Sequence, residues 1–118
     1  MCRLLGWTTR EPTSLRDLLG EEDLASFTAL SAKHGDGWGV ARSTRRGVRV
    51  RKRPDAARTS AVFARWAGRR RSDSGLAHLR WATMGLGIGQ ANTHPFTDGR
   101  VAFAHNARSG RPPRSTTC

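Results

Sequence analysis

The 118-residue sequence contains no tyrosine, two cysteines and two lysines, and it lacks any long apolar run. No stretch approaches the ~20 apolar residues that a membrane-spanning helix needs, and the N-terminus does not resemble a secretory signal. Two cysteines, one near each end, do not make a disulfide framework. We therefore expect one small cytoplasmic domain with no membrane partner, in which a thiol stays reduced.

Acidic side chains are also scarce, with 9 Asp and Glu against 21 Lys and Arg, which gives a formal net charge of +12. A chain this basic suggests nucleic-acid binding. However, the sequence has no aromatic strand motif of the RNA-binding type. Arginines on solvated faces, encoded by GC-rich DNA, are the simpler explanation. Nucleic acid is therefore the less favoured partner.

Short apolar strands alternate with amphipathic stretches along the chain. The predicted strands cover residues 2–7, 38–41, 48–50, 75–80 and 101–105. The predicted helices cover 15–19, 24–30 and 57–67, with Ser14 as a cap and Gly20 as a stop. Breaks are expected at 11–13 and 54–55, a hairpin turn at 45–47 and a glycine-rich loop at 84–90. This mixed order predicts sheets covered on one face by helices, and no internal repeat is visible.

Cys2 is the first candidate for chemistry. Aminopeptidases remove an initiator Met when the next side chain is small, so loss of Met1 would leave a thiol and a free α-amine on one residue. The amine, with a reference pKa of about 7.7–8.0, can take the proton of the thiol, whose reference pKa is about 8.5. This is the arrangement of an N-terminal nucleophile. The alternative is a buried cysteine that packs in the first strand as a small hydrophobe.

Four further segments carry residues suited to a hydrolytic site. They are residues 34–39 (HGDGWG), 78–85 (HLRWATMG), 92–96 (NTHPF) and 103–106 (FAHN). In this order, and with Cys2 in second position, they resemble the glutaminase domain of class II glutamine amidotransferases, which are N-terminal nucleophile hydrolases. The resemblance implies an α+β fold, here a partial αββα four-layer sandwich. It also implies that the Cys2 thiolate cleaves the side-chain amide of glutamine to give glutamate and ammonia.

The resemblance also assigns roles within the motifs. The substrate-binding residues are Arg80, Trp81, Thr83 and Gly85, and the catalytic residues are Cys2 and Asn106. Arg80 would hold the substrate α-carboxylate through two parallel hydrogen bonds. The Asn106 side chain and the backbone N–H of Ala107 would form the oxyanion hole. The alternatives are a surface position for Arg80 and plain packing or capping roles for Trp81 and Thr83.

Asp36, His94 and His105 are motif residues whose interpretation is mainly structural. Asp36 is expected to organise its glycine-rich turn. His94 and His105 are expected to be held by hydrogen bonds near the pocket, with a direct catalytic role as the alternative. The histidines and cysteines lack the spacing of a metal site, so neither a metal nor another cofactor is implied.

The sequence departs from the family pattern at its end. The family has Asn-Gly where this chain has Asn106-Ala107, and alanine is strained if that position needs a positive φ. The carboxylate that binds the substrate ammonium later in the family is missing, because no Asp or Glu follows Asn106. We interpret 1–106 as an incomplete N-terminal part of the domain. Residues 107–118 are interpreted as a disordered basic tail from a frameshifted or truncated gene.

Several functions stay open at this point. The leading one is glutamine hydrolysis, with a small-molecule substrate and a synthase partner that the sequence does not identify. The alternatives are hydrolysis of γ-glutamyl amide bonds in another small molecule, an inactive truncated remnant, and a basic nucleic-acid-binding protein.

Overall fold

The computed structural model describes residues 2–33, 35–81 and 93–104. The strands are β1 (Arg3–Thr13), β2 (Trp38–Thr44), β3 (Gly47–Arg53), β4 (Ser72–Leu79), β5 (Phe96–Thr97) and β6 (Ala102–Phe103). The α-helices are α1 (Leu15–Ala29) and α2 (Ala61–Arg69), and single 3₁₀ turns cover Leu30–Ala32 and Ala57–Thr59. Helices and antiparallel strands are mixed along the chain, which confirms the predicted α+β class.

Four strands form one antiparallel sheet in the order β1-β4-β2-β3, and β5 pairs with β6 in a separate hairpin. Arg3 of β1 lies opposite Leu79 of β4, and Leu79 lies opposite Trp38 of β2. Cys2 precedes β1 and Arg80 follows β4. Because the strands are antiparallel, these two residues lie at the same end of the sheet, together with the turn that leads into β2.

One face of the sheet packs against the two helices. The buried core residues on this side are Leu15, Leu24, Trp38, Val40, Ala57, Phe63, Trp66, Ala67, Ala77 and Leu79. The Trp38 ring meets the Phe63 ring edge-on at a centroid distance of 5.3 Å, and Trp7 meets Trp66 at 6.2 Å. Each fully buried large apolar side chain contributes about 1.5–3 kcal/mol, so this layer supplies much of the folding free energy.

Serine caps begin both helices. The Ser14 hydroxyl accepts a hydrogen bond from the Asp17 N–H at 3.1 Å, and the Ser60 hydroxyl accepts one from Phe63 at 3.2 Å. The Ser14 cap was predicted, and Gly20 breaks α1 as expected, with φ 83° and ψ 164°. The second helix begins later than predicted. Ser60 caps α2 itself, so residues 57–59 form a separate 3₁₀ turn.

The opposite face of the sheet is covered by the chain before β5. Gly39 in β2 has no room for a Cβ atom, because the His94 carbonyl group packs directly against it. The His94–Pro95 peptide bond is cis, and both residues are buried. The helical layer, the sheet and this covering segment form part of the expected αββα sandwich. The segment lies on the sheet because glycine allows a backbone-to-backbone approach.

The β5–β6 hairpin is held by Asp98. Its Oδ1 atom accepts the N–H groups of Arg100 at 2.8 Å and Val101 at 3.0 Å. These hydrogen bonds lower the pKa of the Asp98 carboxyl group, because they favour the carboxylate. Of the expected strand at 101–105, the structure assigns Ala102–Phe103 to β6, and His105 lies outside the described residues.

The structure corrects the predicted end of the first strand. β1 continues to Thr13 through Pro12, where the sequence predicted a break at 11–13. β1 is the edge of the sheet, and its register with β4 shifts between Thr8 and Thr13. A proline is tolerated on an edge strand at such an irregularity, because no neighbouring strand needs its N–H.

Two predicted segments, the loop at 84–90 and the tail at 107–118, lie outside the described residues. Across the three described ranges, no helix is long and apolar enough to cross a membrane.

The contact at Gly39 gives the first prediction. Gly39→Ala should lower the free energy of unfolding by about 2–3 kcal/mol, because its methyl group overlaps the His94 carbonyl. The matched control is Gly68→Ala in α2, where the nearest atom to a new Cβ is Arg16 Cζ at 3.4 Å. That change should be neutral or slightly stabilising, since alanine favours helix. Urea unfolding of both variants checks this, and equal midpoints would contradict it.

Candidate active site

Cys2 directly precedes β1 and is completely buried. The backbone N–H of Trp81 donates a hydrogen bond to its Sγ atom at 3.2 Å. This contact joins residues that are 79 positions apart in the sequence. The Cys2 sulfur takes part in a disulfide bond in this structure, whereas the expected chemistry needs a reduced thiol. The disulfide must be reduced before Cys2 can act as a nucleophile.

Arg80 sits beside Cys2 at the end of β4. The backbone N–H of Arg80 donates to the Gly37 carbonyl at 2.8 Å, and the backbone carbonyl of Arg80 accepts the Asp36 N–H at 3.0 Å. These bonds extend the pairing of β4 with the chain entering β2. The Arg80 side chain is completely buried, which excludes the alternative of a surface arginine.

The electrostatics of Arg80 depend on burial and on one neighbour. Burial lowers the pKa of the Arg80 guanidinium, and the nearby Asp36 carboxylate raises it. Arginine stays protonated even so, because its reference pKa is above 12. The site therefore holds a permanent cation away from water. Removing a charge from water is costly unless an anion or hydrogen bonds compensate, so this position suits an anionic group.

Glycines place Asp36 beside Arg80. Gly37 has φ 148°, and a Cβ atom there would lie 3.0 Å from Thr93 Oγ1 and 3.1 Å from the Arg53 carbonyl oxygen. A Cβ on Gly35 would lie 2.8 Å from the Ser31 carbonyl oxygen. The turn is thus crowded on two sides. The sequence analysis predicted a structural role for Asp36 but missed its charge interaction with Arg80, which only the pairing of β2 with β4 creates.

His94 is completely buried against the second face of the sheet. Its ring lies 4.6 Å from the His78 ring and 4.7 Å from the Phe96 ring, measured between centroids. The Lys52 ammonium donates to the Thr93 carbonyl at 2.9 Å and lies 4.8 Å from the centre of the Phe96 ring. Burial of His94 between the His78 and Phe96 rings supports the structural interpretation of this residue.

Lys52 is a residue that the sequence analysis did not select. Burial lowers the pKa of its ammonium group, and its hydrogen bond to Thr93 fixes the segment that carries His94. The sequence feature that could have pointed to Lys52 is its rarity, since it is one of two lysines in an arginine-rich chain. Lysine is a compact donor that can approach a backbone carbonyl where a planar guanidinium fits poorly.

The remaining predicted residues divide into two groups. The Trp81 side chain is half-exposed, and its backbone N–H contacts Cys2. The other candidates lie outside the described residues, and they are Thr83, Gly85, His105, Asn106 and Ala107. Among the residues that the structure describes, no three His, Cys, Asp or Glu side chains are grouped as metal ligands.

Known proteins resemble this chain over most of its length. A family model described as class II glutamine amidotransferases matches residues 1–111. The gamma-glutamyl-hercynylcysteine sulfoxide hydrolase of Mycolicibacterium smegmatis is 36% identical over 115 residues, covering 90% of this chain and 50% of that protein.

Two further relatives are named putative glutamine amidotransferases. The protein from Haemophilus influenzae is 32% identical over 121 residues, with 98% of this chain and 40% of the relative covered. YafJ of Escherichia coli is 33% identical over 119 residues, with 92% and 43% covered. The chain therefore spans half or less of the length of these relatives. The family model covers most of the chain, and on that basis the chain belongs to the class II glutamine amidotransferase family.

Proposed function

We propose that this chain hydrolyses the side-chain amide of glutamine, with Cys2 as the nucleophile and Arg80 as the anchor for the substrate α-carboxylate. The observation that carries the proposal is the position of these two residues at one end of the sheet. The Trp81 N–H donates to the sulfur, and the adjoining guanidinium is buried. A reducing compartment such as the cytoplasm suits a mechanism that needs a thiol.

The nucleophile is generated in two steps. Removal of Met1 leaves the α-amine on Cys2, and reduction of the disulfide frees its thiol. The amine then takes the thiol proton, and the thiolate attacks the amide carbonyl carbon. The hydrogen bond from the Trp81 N–H favours negative charge on the sulfur. The amine returns its proton to the departing ammonia, and water hydrolyses the thioester to give glutamate.

Substrate binding in this proposal begins with Arg80. A guanidinium that is already desolvated pairs strongly with a carboxylate, because little water remains to be displaced. The nearby Asp36 carboxylate stabilises the charge of the guanidinium while the site is empty. Trp81, Thr83 and Gly85 would complete the pocket. Asn106 and the Ala107 N–H would bind the oxyanion, and this assignment rests on the family motif alone.

The nucleophile can be tested by labelling with diazo-oxo-norleucine, a glutamine analogue whose diazo group leaves as nitrogen when a thiolate attacks. We expect the reduced, Met-free chain to gain one adduct, which peptide mass spectrometry should map to Cys2. Labelling reports on the pocket and the nucleophile without requiring turnover. Excess glutamine should slow it, because both molecules compete for the same carboxylate anchor.

The two cysteines provide a matched pair of controls. Cys2→Ser should abolish the adduct, and Cys118→Ser should leave the rate of labelling unchanged under reducing conditions. An adduct that persists in the Cys2→Ser protein, or that glutamine does not slow, would refute Cys2 as the nucleophile.

The anchor makes a separate prediction. Arg80→Lys keeps the charge but loses the two-pronged donor, so we expect labelling at low analogue concentration to slow about tenfold or more. Saturating analogue should recover much of the rate, because the defect lies in binding.

Asp36→Asn should lower the melting temperature more than the exposed Asp55→Asn does, since it removes the carboxylate next to a buried cation. Equal effects of the two Asp changes would count against the proposed role of Asp36.

A second candidate substrate is a γ-glutamyl amide other than glutamine. The observation that favours it is that two relatives, at 36% and 34% identity, are named gamma-glutamyl-hercynylcysteine sulfoxide hydrolases. Such a substrate shares the glutamyl α-carboxylate, so Arg80 and Cys2 would act in the same way. Only the leaving group would differ.

Competition distinguishes the two substrates. If glutamine is preferred, it should protect Cys2 from the analogue at lower concentration than gamma-glutamyl-hercynylcysteine sulfoxide does. The reverse order would assign the site to the larger γ-glutamyl compound. Glutamate should protect at most weakly in either case, because its side chain adds a negative charge at the reacting carbon.

A further inference from the structure

Six arginines line one groove between β3 and α2, away from Cys2 and Arg80. The groove has a volume of about 560 Å³, and Trp66 and Val62 also contribute to its lining. The arginines are Arg42, Arg49, Arg51, Arg65, Arg69 and Arg70. Among the residues that the structure describes, no acidic side chain lines the groove.

The strand register explains why the arginines face the same way. Arg42 of β2 lies directly opposite Arg49 of β3, and Val40 lies opposite Arg51. Val40 belongs to the core beneath the helices, so its row of the sheet points to the helical side. β3 is an edge strand of the sheet, so this row of arginines lies at its border. Arg65 and Arg69 are one turn apart on α2 and line the other wall.

These guanidinium groups have no compensating partners in the described part of the chain. Two salt bridges in that part join Arg16 to Glu21 at 3.4 Å and Arg71 to Asp17 at 3.0 Å, and both carboxylates lie on α1. Burial lowers the pKa of Arg42, and the charges of Arg70 and Arg49 lower it further. The groove therefore concentrates positive charge at a free-energy cost that an anion would relieve.

We propose that this groove is a binding site for a small molecule that carries two or more adjacent phosphate groups. Guanidinium groups bind phosphate through paired hydrogen bonds, and several of them can share a chain of phosphates. The volume falls within the roughly 300–1,000 Å³ of small-molecule sites. Proteins that bind single-stranded nucleic acids stack the bases on exposed aromatic side chains. Trp66 is only 8% exposed, so the groove favours a ligand without stacked bases.

Calorimetric titration of the full chain with inorganic triphosphate tests the proposal. We expect saturable binding at one site at ~50 mM salt, where charge interactions are only partly screened. Arg42→Gln/Arg49→Gln should weaken this binding at least tenfold. The same double variant should raise the melting temperature of the free protein, because it removes facing like charges.

A parallel titration with ATP separates the two sources of such phosphates. Tighter binding of ATP would indicate a nucleotide, and equal binding would indicate the phosphate chain alone.

The matched control is Arg10→Gln/Arg100→Gln, which removes the same charge from two exposed positions outside the groove. It should change the affinity for triphosphate less than twofold. Absence of saturable binding, or an equal loss in the control, would overturn the proposal. It would also fail if a short single-stranded oligonucleotide bound more tightly than triphosphate and lost that binding in Arg42→Gln/Arg49→Gln, because the groove would then belong to nucleic acid.

Discussion

Pairing of β4 along both of its edges is the constraint on which the rest of the structure depends. β1 on one side brings Cys2 to the end of the strand, and β2 on the other side brings the turn with Asp36. Arg80 continues β4 and is hydrogen-bonded through its backbone to that turn. A shift of one residue in either register would turn the core side chains to the other face and would separate Cys2 from Arg80.

Close backbone contacts make the second face of the sheet as specific as the helical face. Gly39 admits the His94 carbonyl, and Gly37 admits Thr93. Lys52 then hydrogen-bonds to the Thr93 carbonyl and holds the covering segment on the sheet. The helical face is stabilised mainly by apolar area, whereas this face depends on glycines and one ammonium group. Substitutions on this face should be poorly tolerated, because no apolar side chain can replace the glycines or the Lys52 ammonium group.

Arginine has contrasting roles in the two charged regions of this chain. Arg80 is single, buried and next to a carboxylate, which suits the recognition of one carboxylate. The groove beside α2 gathers six guanidinium groups, with no acidic side chain among its described lining residues, which suits a ligand with several negative charges. The high net charge of the chain is therefore unevenly distributed. Within the described ranges, Arg16 and Arg71 form salt bridges with carboxylates of α1, and the arginines facing the groove form none.

Local signals in the sequence by themselves determined the Ser14 cap, the break at Gly20, the hairpin turn at 45–47 and the mixed α+β class, because caps and turns depend on neighbouring residues. The order of the motifs around Cys2 and Arg80 likewise sufficed to indicate the family. Only the tertiary structure decided that β1 continues through Pro12, that Asp36 stands beside Arg80 and that Lys52 holds the chain before β5. These features arise from strand pairing between residues distant in sequence, and no local pattern encodes which distant residues meet.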